Sequence, residues 1–401
     1  MGVRAVALAP VALIAGALVA GVAVPAAAGF RERAQDTTPM FGVRYRFETV
    51  DQEGFARESA ASTARLRLGW VMPPAEGLSL GVQADYVASL GSEKYNSTVN
   101  GRTEYPVVAD PVGFDLNQAF VRYRNSRVTV SAGRQRIAHA GQHFVGFKAW
   151  RQNEQSFDAL RIEAAGDRAS VDYAYVNRVN RIFGPGDGPQ PDTWSGDSHL
   201  FRASLTPAAG HAFGAFAYLL DFENGNGPAN SSATAGLDYA GTFGGWGLSA
   251  SAGRQQDWGD APISYSAPRY ALEMRRNVGR AKLTLGWEAL GSDDGVAAVQ
   301  TPIGAEHIYR GWADKFAAVK PAAGLKDAYL SASAKVGEVT FAGTLHAYRS
   351  WHGGIDYGEE AGVSATFVHE RLSVQGKLAR YRAEAHATDT TKAWLTLTYA
   401  P

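Results

Sequence analysis

Residues 65–70 read RLRLGW, so arginine alternates with leucine over four successive positions. Successive side chains of a β-strand point to opposite faces, which gives this stretch one charged face and one apolar face. In a transmembrane β-barrel the apolar face contacts lipid and the polar face lines the lumen. Because an arginine facing lipid at the midplane costs about 2–4 kcal/mol, Arg65 and Arg67 are predicted to point into a lumen. The alternative is a soluble sandwich with both arginines in bulk water.

The same two-residue period recurs along most of the chain, as in MFGVRYRFET (40–49), where apolar and charged side chains alternate. The strands assigned by this period are even in number, as expected for a transmembrane β-barrel. The 18 predicted strands are 40–50, 62–71, 78–90, 115–124, 127–135, 157–164, 169–180, 199–205, 211–220, 234–240, 246–253, 269–276, 280–290, 328–335, 339–348, 358–368, 371–381 and 391–399.

The connections between these strands alternate in length. Those after even-numbered strands are tight, as in MPPAEG (72–77) and NS (125–126), whereas most of those after odd-numbered strands are long. Transmembrane barrels have short periplasmic turns and longer outer loops. The sequence therefore predicts an all-β, antiparallel up-and-down transmembrane barrel of about 18 strands. The long connections are 91–114, 136–156, 181–198, 221–233, 254–268 and 291–327.

The N-terminus has the pattern of a secretory signal peptide. Arg4 precedes an apolar run, and PAAAGF (25–30) contains small residues suited to cleavage after Ala28. We therefore expect residues 1–28 to be removed and residues 29–401 to form the barrel in the outer membrane of a bacterium. A retained membrane anchor is the alternative, because the apolar run is about as long as a spanning helix.

Composition narrows the choice of partners. The chain has 39 basic and 39 acidic residues, so it has no net attraction to nucleic acid, and it has no cysteine for disulfides or thiolate sites. The expected surroundings are the lipid bilayer and lipopolysaccharide. The final strand, TKAWLTLTYAP (391–401), carries outward apolar residues and a late aromatic, which resembles the signal that barrel-assembly machinery reads. We expect a monomer.

The charges predicted to face the lumen are unevenly distributed. In the last ten strands five basic residues nearly balance four acidic ones, but the first eight strands place ten arginines against only Glu48, Asp85, Glu163 and Asp172. Such a basic wall favours anions, as charged rings do in pores. The alternative is that the arginines pair with loop acids and only neutralise the interior. The ten are Arg44, Arg46, Arg65, Arg67, Arg122, Arg124, Arg127, Arg161, Arg178 and Arg202.

Nothing in the sequence predicts an enzyme. It contains no nucleophile elbow, phosphate-binding loop or cofactor fingerprint, so no cofactor is expected. His139 and His143 are four residues apart but lie in a glycine-containing loop without a third ligand, so no metal site is expected.

Several stretches resemble the alginate export family of outer-membrane β-barrels. They are DLNQAFVRYR (115–124), KAWRQNEQSFDALRI (148–162), TPIGAEHIYRGWADKF (301–316) and GLKDAYLSAS (324–333). The resemblance implies an 18-stranded barrel with a narrow, arginine-lined channel for a polyuronate, constricted by loops that fold inward. It places WRQNE (150–154) and GWADKF (311–316) in those loops, near the pore mouth.

The 291–327 connection is independently predicted to fold into the lumen. It contains Ile308, Tyr309, Trp312 and Phe316, which disordered segments lack and which are costly to leave in water. An outer-rim position for these aromatics, with the pore left open, is the alternative. The predicted constriction residues are Arg151, Gln152, Asn153, Tyr309, Trp312, Asp314 and Lys315.

Together these features predict an outer-membrane channel for anionic or polar solutes, including a polyuronate such as alginate. A non-selective porin or sugar channel is the alternative within transport, and an outer-membrane enzyme or a soluble secreted β-protein would be a different class.

Overall fold

The chain forms one closed sheet of 18 antiparallel strands, as the alternating sequence predicts. The structure is a computed structural model and describes residues 38–317 and 320–400. The predicted signal peptide, residues 1–28, lies outside the described residues. No helix within the described ranges is long and apolar enough to cross a membrane.

The barrel strands follow one another around the sheet in chain order, and β14 and β15 form a separate two-stranded ribbon. The 20 strands are β1 (Thr38–Gln52), β2 (Ser59–Val71), β3 (Leu78–Lys94), β4 (Gly113–Arg124), β5 (Val128–Gln135), β6 (Ser156–Ala165), β7 (Ala169–Asn180), β8 (Thr193–Ala208), β9 (His211–Leu220), β10 (Ser232–Phe243), β11 (Trp246–Asp257), β12 (Ser266–Val278), β13 (Ala281–Leu290), β14 (Ser292–Asp293), β15 (Ala297–Ala298), β16 (Leu325–Val336), β17 (Val339–Arg349), β18 (Asp356–His369), β19 (Leu372–Ala383) and β20 (Thr390–Tyr399).

The barrel closes where the first strand pairs with the last. Val43 of β1 lies opposite Tyr399 of β20, and the pairing continues to Gln52 opposite Thr390. Closure satisfies the backbone hydrogen-bonding groups of both strands and leaves no free sheet edge. All 18 barrel strands were predicted. Several are longer than predicted at the loop end, and β8 (Thr193–Ala208) extends both ways beyond 199–205, because edge polar residues hide the period there.

All connections of two or three residues between barrel strands lie at one end of the barrel, here called the turn end, and the three longest loops lie at the other, the loop end. The long loops are residues 95–112, 136–155 and 291–324. This separation of turn lengths is the one predicted, and it matches the two ends of a membrane barrel.

The two faces of the strands differ in chemistry. Leucine, valine and aromatic side chains are exposed on the outside, as at Leu66, Leu237 and Leu345, which are 36%, 65% and 57% exposed. Inside, polar and charged side chains alternate with them and are buried, such as Arg46 at 1% and Glu48 at 0%. An apolar outside and a polar inside are what a membrane barrel requires.

The largest apolar cluster lies inside the barrel towards the loop end. It is built from residues of the 136–155 and 291–324 loops, such as Val145, Ile303 and Phe316, packed against inward residues of the strands, such as Phe157 and Tyr348. The loops therefore fill the interior where a wide pore would otherwise be open.

Candidate functional site: a loop plug and a basic wall

Arginines of the first two strands point into the barrel and bind the 136–155 loop. Arg44 donates from Nε to Gln152 Oε1 at 2.9 Å and from Nη1 to the carbonyl oxygen of Ala149 at 2.9 Å, and it also donates to the Arg151 carbonyl. Arg65 donates to the Gln152 carbonyl at 3.2 Å. Because the barrel wall supplies donors for loop carbonyls that would otherwise be buried without partners, it stabilises the inward position of the loop.

Gln152 is fully buried and bonded on every side. Its amide nitrogen donates to Thr63 Oγ1 at 3.0 Å, and its backbone N–H donates to Asp110 Oδ1 at 2.8 Å. Asp110 lies in the 95–112 loop, and its other carboxylate oxygen is 3.7 Å from Arg46 Nη1. A second long loop thereby joins the 136–155 loop. The inward-folded segments of the 136–155 and 291–324 loops, with the contacting part of 95–112, form a plug inside the barrel.

Glu154 is the ionic centre of this loop. It lies 2.7 Å from Arg67, 2.6 Å from Arg136 and 3.7 Å from Arg65. Burial alone would raise the pKa of this carboxyl, but the charges of Arg67 and Arg136 outweigh burial and lower the pKa to about 2. Arg67 also forms a bidentate pair with Asp85 of β3 at 2.6 and 2.7 Å. The carboxylate is therefore ionised at neutral pH and ties the loop to the wall.

A second ionic centre joins the two inward loops to each other. Asp314 of the 291–324 loop lies 3.2 Å from Arg151 and 3.0 Å from Lys392 of β20. Arg151 in turn lies 3.1 Å from Glu48 of β1. Burial disfavours ionisation of Asp314, but its contacts with His307 and these cations hold its pKa well below the usual range. Asp314 is therefore a carboxylate shared by both loops and the wall.

His307 completes this centre as a neutral ring. Burial lowers its pKa to about 3, against the opposing attraction of Asp314. The neutral tautomer that satisfies its neighbours donates from Nδ1 to Asp314 Oδ1 at 2.7 Å and accepts at Nε2 from Lys377 Nζ at 2.9 Å. The ring also stacks on Trp150 with centroids 4.1 Å apart.

Further polar contacts fasten the 291–324 loop. Arg310 lies 2.8 Å from Glu288 of β13, which also pairs with Arg269 at 2.8 Å. The carboxylate of Glu360 accepts hydrogen bonds from the backbone N–H groups of Trp312 and Ala313. A buried carboxylate that binds consecutive backbone donors fixes the local path of a loop.

Aromatic side chains anchor the same loop. Phe316 is fully buried and packs 4.6 Å from Tyr348 and 4.7 Å from His386, measured between ring centroids. Trp312 and Trp150 face the ammonium of Lys377 at 3.8 and 4.2 Å from their ring centroids, a cation–π arrangement. Trp150, Trp312 and Phe316 therefore lie inside the barrel rather than on its rim.

The remaining predicted constriction residues have different roles. Tyr309 stacks on His143 at 3.7 Å and donates its hydroxyl to the Gly141 carbonyl, so it joins the two inward loops. Asn153 donates to the Gly184 carbonyl in the connection between β7 and β8. Lys315 is partly buried, and burial lowers its pKa to about 8.

Below the plug, towards the turn end, the wall keeps basic groups. Arg161 pairs with Asp172 and Arg202 pairs with Asp238, the latter at 2.7 Å. Arg122 donates to Ser131 Oγ at 2.9 Å and, within the described residues, has no carboxylate within ion-pair distance. A polar cavity of about 370 Å³ adjoins these groups. Its basic and titratable lining residues are Arg124, Arg127, His139, Glu163, Asp172 and Arg202.

Three predicted lumen arginines are placed differently. Arg124 and Arg127 are exposed beside the β4–β5 turn, so they lie at the mouth of the turn end rather than within the bore. The prediction for Arg178 was wrong: its side chain is exposed on the outer face, opposite Asp158. A register shift between Val176 and Arg178 reverses the alternation of β7, which a strict two-residue period cannot detect.

Sequence reasoning missed Asp110, Arg136, Glu306, His307 and Arg310 as parts of the plug. Glu306, for example, lies 3.4 Å from both Lys148 and Lys320. These residues lie in loops without periodicity, and the one available signal was the density of charged residues beside aromatics in 301–320. Among the described residues, no cluster of three or more His, Asp or Glu side chains is arranged to hold a metal ion.

Comparisons with known proteins identify the fold. No protein-family model and no curated protein matches the sequence, so the resemblance to the alginate export family is not supported. Solved structures do match. OccAB4 of Acinetobacter baumannii has a TM-score of 0.70 at 12% identity, covering 91% of this chain and 98% of that one. Pseudomonas aeruginosa OpdK, solved with vanillate, has a TM-score of 0.70 at 14% identity, covering 92% and 99%. P. aeruginosa OccK9 has a TM-score of 0.68 at 14% identity, covering 92% and 99%.

The fold that this chain shares with these structures is a closed barrel, here of 18 antiparallel strands, and one of the matched structures, OpdK, is an outer membrane protein of P. aeruginosa. The likeness covers nearly the whole of each of these chains, and at these identities it concerns the fold.

Proposed function

We propose that this chain is a bacterial outer-membrane channel through which small anionic solutes diffuse. The observation that carries the proposal is the combination of an apolar barrel exterior with an interior narrowed by two ion-paired loops above a basic wall. A narrow bore lined by cations lowers the energy of an anion within it, because the low-dielectric surroundings strengthen each interaction.

Small carboxylates are the solutes that fit this arrangement best. The plug is held by many buried ion pairs and leaves the free basic groups, such as Arg122 and Arg124, near the turn end. Vanillate, the compound named with OpdK, is itself a small carboxylate. A polyuronate such as alginate also carries carboxylates, but a polymer needs a continuous path past the plug. It is therefore the second candidate, supported only by the sequence resemblance.

Reversal potentials in a salt gradient, measured on the protein in planar bilayers, test the proposal. We expect anion selectivity that falls when Arg122 and Arg124 are replaced by glutamine, since neither binds the plug. The matched control replaces Arg168 and Arg280, which also lie at the turn end of the barrel, and this variant should keep the anion selectivity. Cation selectivity, or equal selectivity in both variants, would contradict the proposal.

Solute class is tested in the same bilayers. Vanillate or another small carboxylate should produce brief current blockages whose frequency rises with concentration. An oligomannuronate that is transported, with no effect of small carboxylates, would favour the polymer instead.

A further inference from the structure

The outer face of β16–β19 changes abruptly from apolar to charged as the strands approach the loop end. On β19 the outward residues Leu372, Val374 and Leu378 are followed by Arg380 and Arg382. On β17 the exposed Phe341 and Leu345 are followed, after Ala347, by Arg349. Charged side chains therefore begin where the apolar band ends.

Four basic residues make up this outer basic cluster: Lys326, Arg349, Arg380 and Arg382. Lys326 and Arg349 are directly opposite each other in the β16–β17 ladder. Like charges directly opposite each other destabilise a sheet pair unless an anion lies between them. The register thus brings two cations together without a strand residue that compensates both.

The acidic neighbours of the cluster are few and exposed. Arg349 is 3.8 Å from Asp356, and Arg382 is 3.4 Å from Glu359, with all four side chains more than half exposed. Exposed pairs of this kind hold their partners weakly. Lys326 and Arg380 have no ion-pair partner in the part of the chain that the structure describes. Four cations against two carboxylates leave an uncompensated positive patch.

Two other stretches of the rim, β9–β10 and β5–β6, are different. On β9 and β10 the outward residues at the same end are Ala217, Leu219, Ala233 and Ala235, which carry no charge. On β5–β6 the outward Arg134 forms a bidentate pair with Asp158 at 2.7 and 3.0 Å. Elsewhere at this end the exposed outward arginines Arg178 and Arg254 stand singly, with no like charge directly opposite. A cluster of four basic residues is therefore particular to β16–β19, and ordinary solvation of a rim does not require it.

We propose that the outer basic cluster binds the phosphate groups of a lipopolysaccharide molecule in the outer leaflet. The acyl chains would pack on the apolar residues below the cluster, such as Leu345 and Leu378, while the cations meet the phosphates at the level of the headgroups. Basic side chains at the edge of an apolar band attract anionic lipid headgroups in this way. The proposal rests on the proposed placement in the outer membrane but not on conduction.

The test compares binding of bisphosphorylated lipid A and dephosphorylated lipid A to the full-length mature barrel in detergent, by native mass spectrometry. We expect the parent to prefer the bisphosphorylated form. The variant R349Q/R380Q/R382Q should bind it at least about tenfold more weakly, given the attraction contributed by each basic residue near an anionic surface. The charge-retaining variant R349K/R380K/R382K should bind close to the parent.

A matched control, R168Q/R280Q/R371Q, removes three exposed arginines from the turn end and should keep full binding. Heat-modifiable migration in SDS gels verifies that each variant is folded. Equal binding of both lipid A forms, or equal loss in the control, would overturn the proposal. A protein that binds lipid A as expected but conducts no anions would refute only the channel function.

Discussion

Arg67 Nη1 lies 2.7 Å from Glu154 Oε1, and this ion pair joins a barrel strand to a loop residue 87 positions later in the chain. The alternation of arginine and leucine in β2 predicts a charged lumen, and a loop carboxylate is the partner of Arg67. The sequence leaves open whether the lumen arginines pair with loop acids or form a basic wall. Arg65 and Arg67 pair with a loop acid, whereas Arg122 donates to Ser131 and remains part of the basic wall.

Replacing Glu154 by glutamine should loosen the 136–155 loop. The substitution leaves Arg67 with Asp85 alone and removes the carboxylate that Arg136 pairs with. Breaking a fully buried pair costs about 3–5 kcal/mol, and the retained Asp85 contact and the partial exposure of Arg136 place the cost below that range. We expect more frequent current fluctuations in single-channel recordings with the barrel still folded. E163Q is the control, because Glu163 is more exposed and pairs with Arg161 on the wall. Identical recordings for E154Q and the parent would show that this ion pair does not hold the loop.

The ion pairs that tether the 136–155 loop through Glu154 should depend on pH. The pKa of Glu154 is lowered to about 2 from an ordinary value of 4.5, so its stabilising contribution is complete above the ordinary value and is lost as the pH falls towards 2. Fluctuations of the parent channel should therefore be constant from neutral pH to about pH 5 and increase at lower pH. E154Q should lack this component. A parent profile that changes mainly between pH 6 and 8 would assign the tether to a different group.

Phe316→Ala should detach part of the 291–324 loop from the wall. Removing a fully buried aromatic side chain costs about 3–5 kcal/mol, and here the cost falls on the contact with Tyr348 and His386. Ile308→Ala is the matched control, because Ile308 is in the same loop but 54% exposed. Limited proteolysis of the folded barrel should cut the loop faster in F316A and at the parental rate in I308A. Equal cutting rates in the two variants would contradict the anchoring role of Phe316.

Deleting residues 297–322 should widen the channel. The deletion removes Arg310, Phe316 and the Asp314 centre while leaving β13 and β16 intact, so we expect a large rise in single-channel conductance. Heat-modifiable migration in gels checks that the barrel still closes. A correctly inserted deletion variant with unchanged conductance would show that ions already bypass this loop.

Leu66→Arg should impair folding into lipid, because Leu66 is exposed on the outer face. The expected cost is about 2–4 kcal/mol if the residue lies near the bilayer midplane. The control is Thr129→Arg on the lumen face, where Glu163 lies directly opposite on β6 and the exposed Arg124 lies directly opposite on β4. Folding efficiency in liposomes, measured by the gel shift, should fall for L66R and remain near the parent for T129R. Equal efficiencies would place the outer face of β2 away from lipid.

The barrel itself was predictable from the sequence because its determinants are local. A two-residue period assigns each side chain of a strand to one face, and tight connections such as 125–127 and 244–245 set antiparallel neighbours and the end at which they lie. The strand count and the inward direction of Arg44, Arg46, Arg65 and Arg67 follow from these rules. The two-residue period fails at Arg178, because one register shift in β7 reverses the face of the sheet to which this side chain points.

The plug was predictable only in outline. The aromatic residues of the 291–324 loop indicate that this loop packs against other parts of the protein. No local sequence pattern, however, pairs Asp314 with Lys392 or Glu154 with Arg136. Those partners meet because closing the barrel brings distant strands to opposite sides of one narrow interior, where each buried charge needs an opposite charge. The sequence by itself determined the alternation of faces and therefore the barrel. Tertiary structure decided which charges are neutralised by loops and which remain on the wall, because that depends on contacts between residues far apart in the chain.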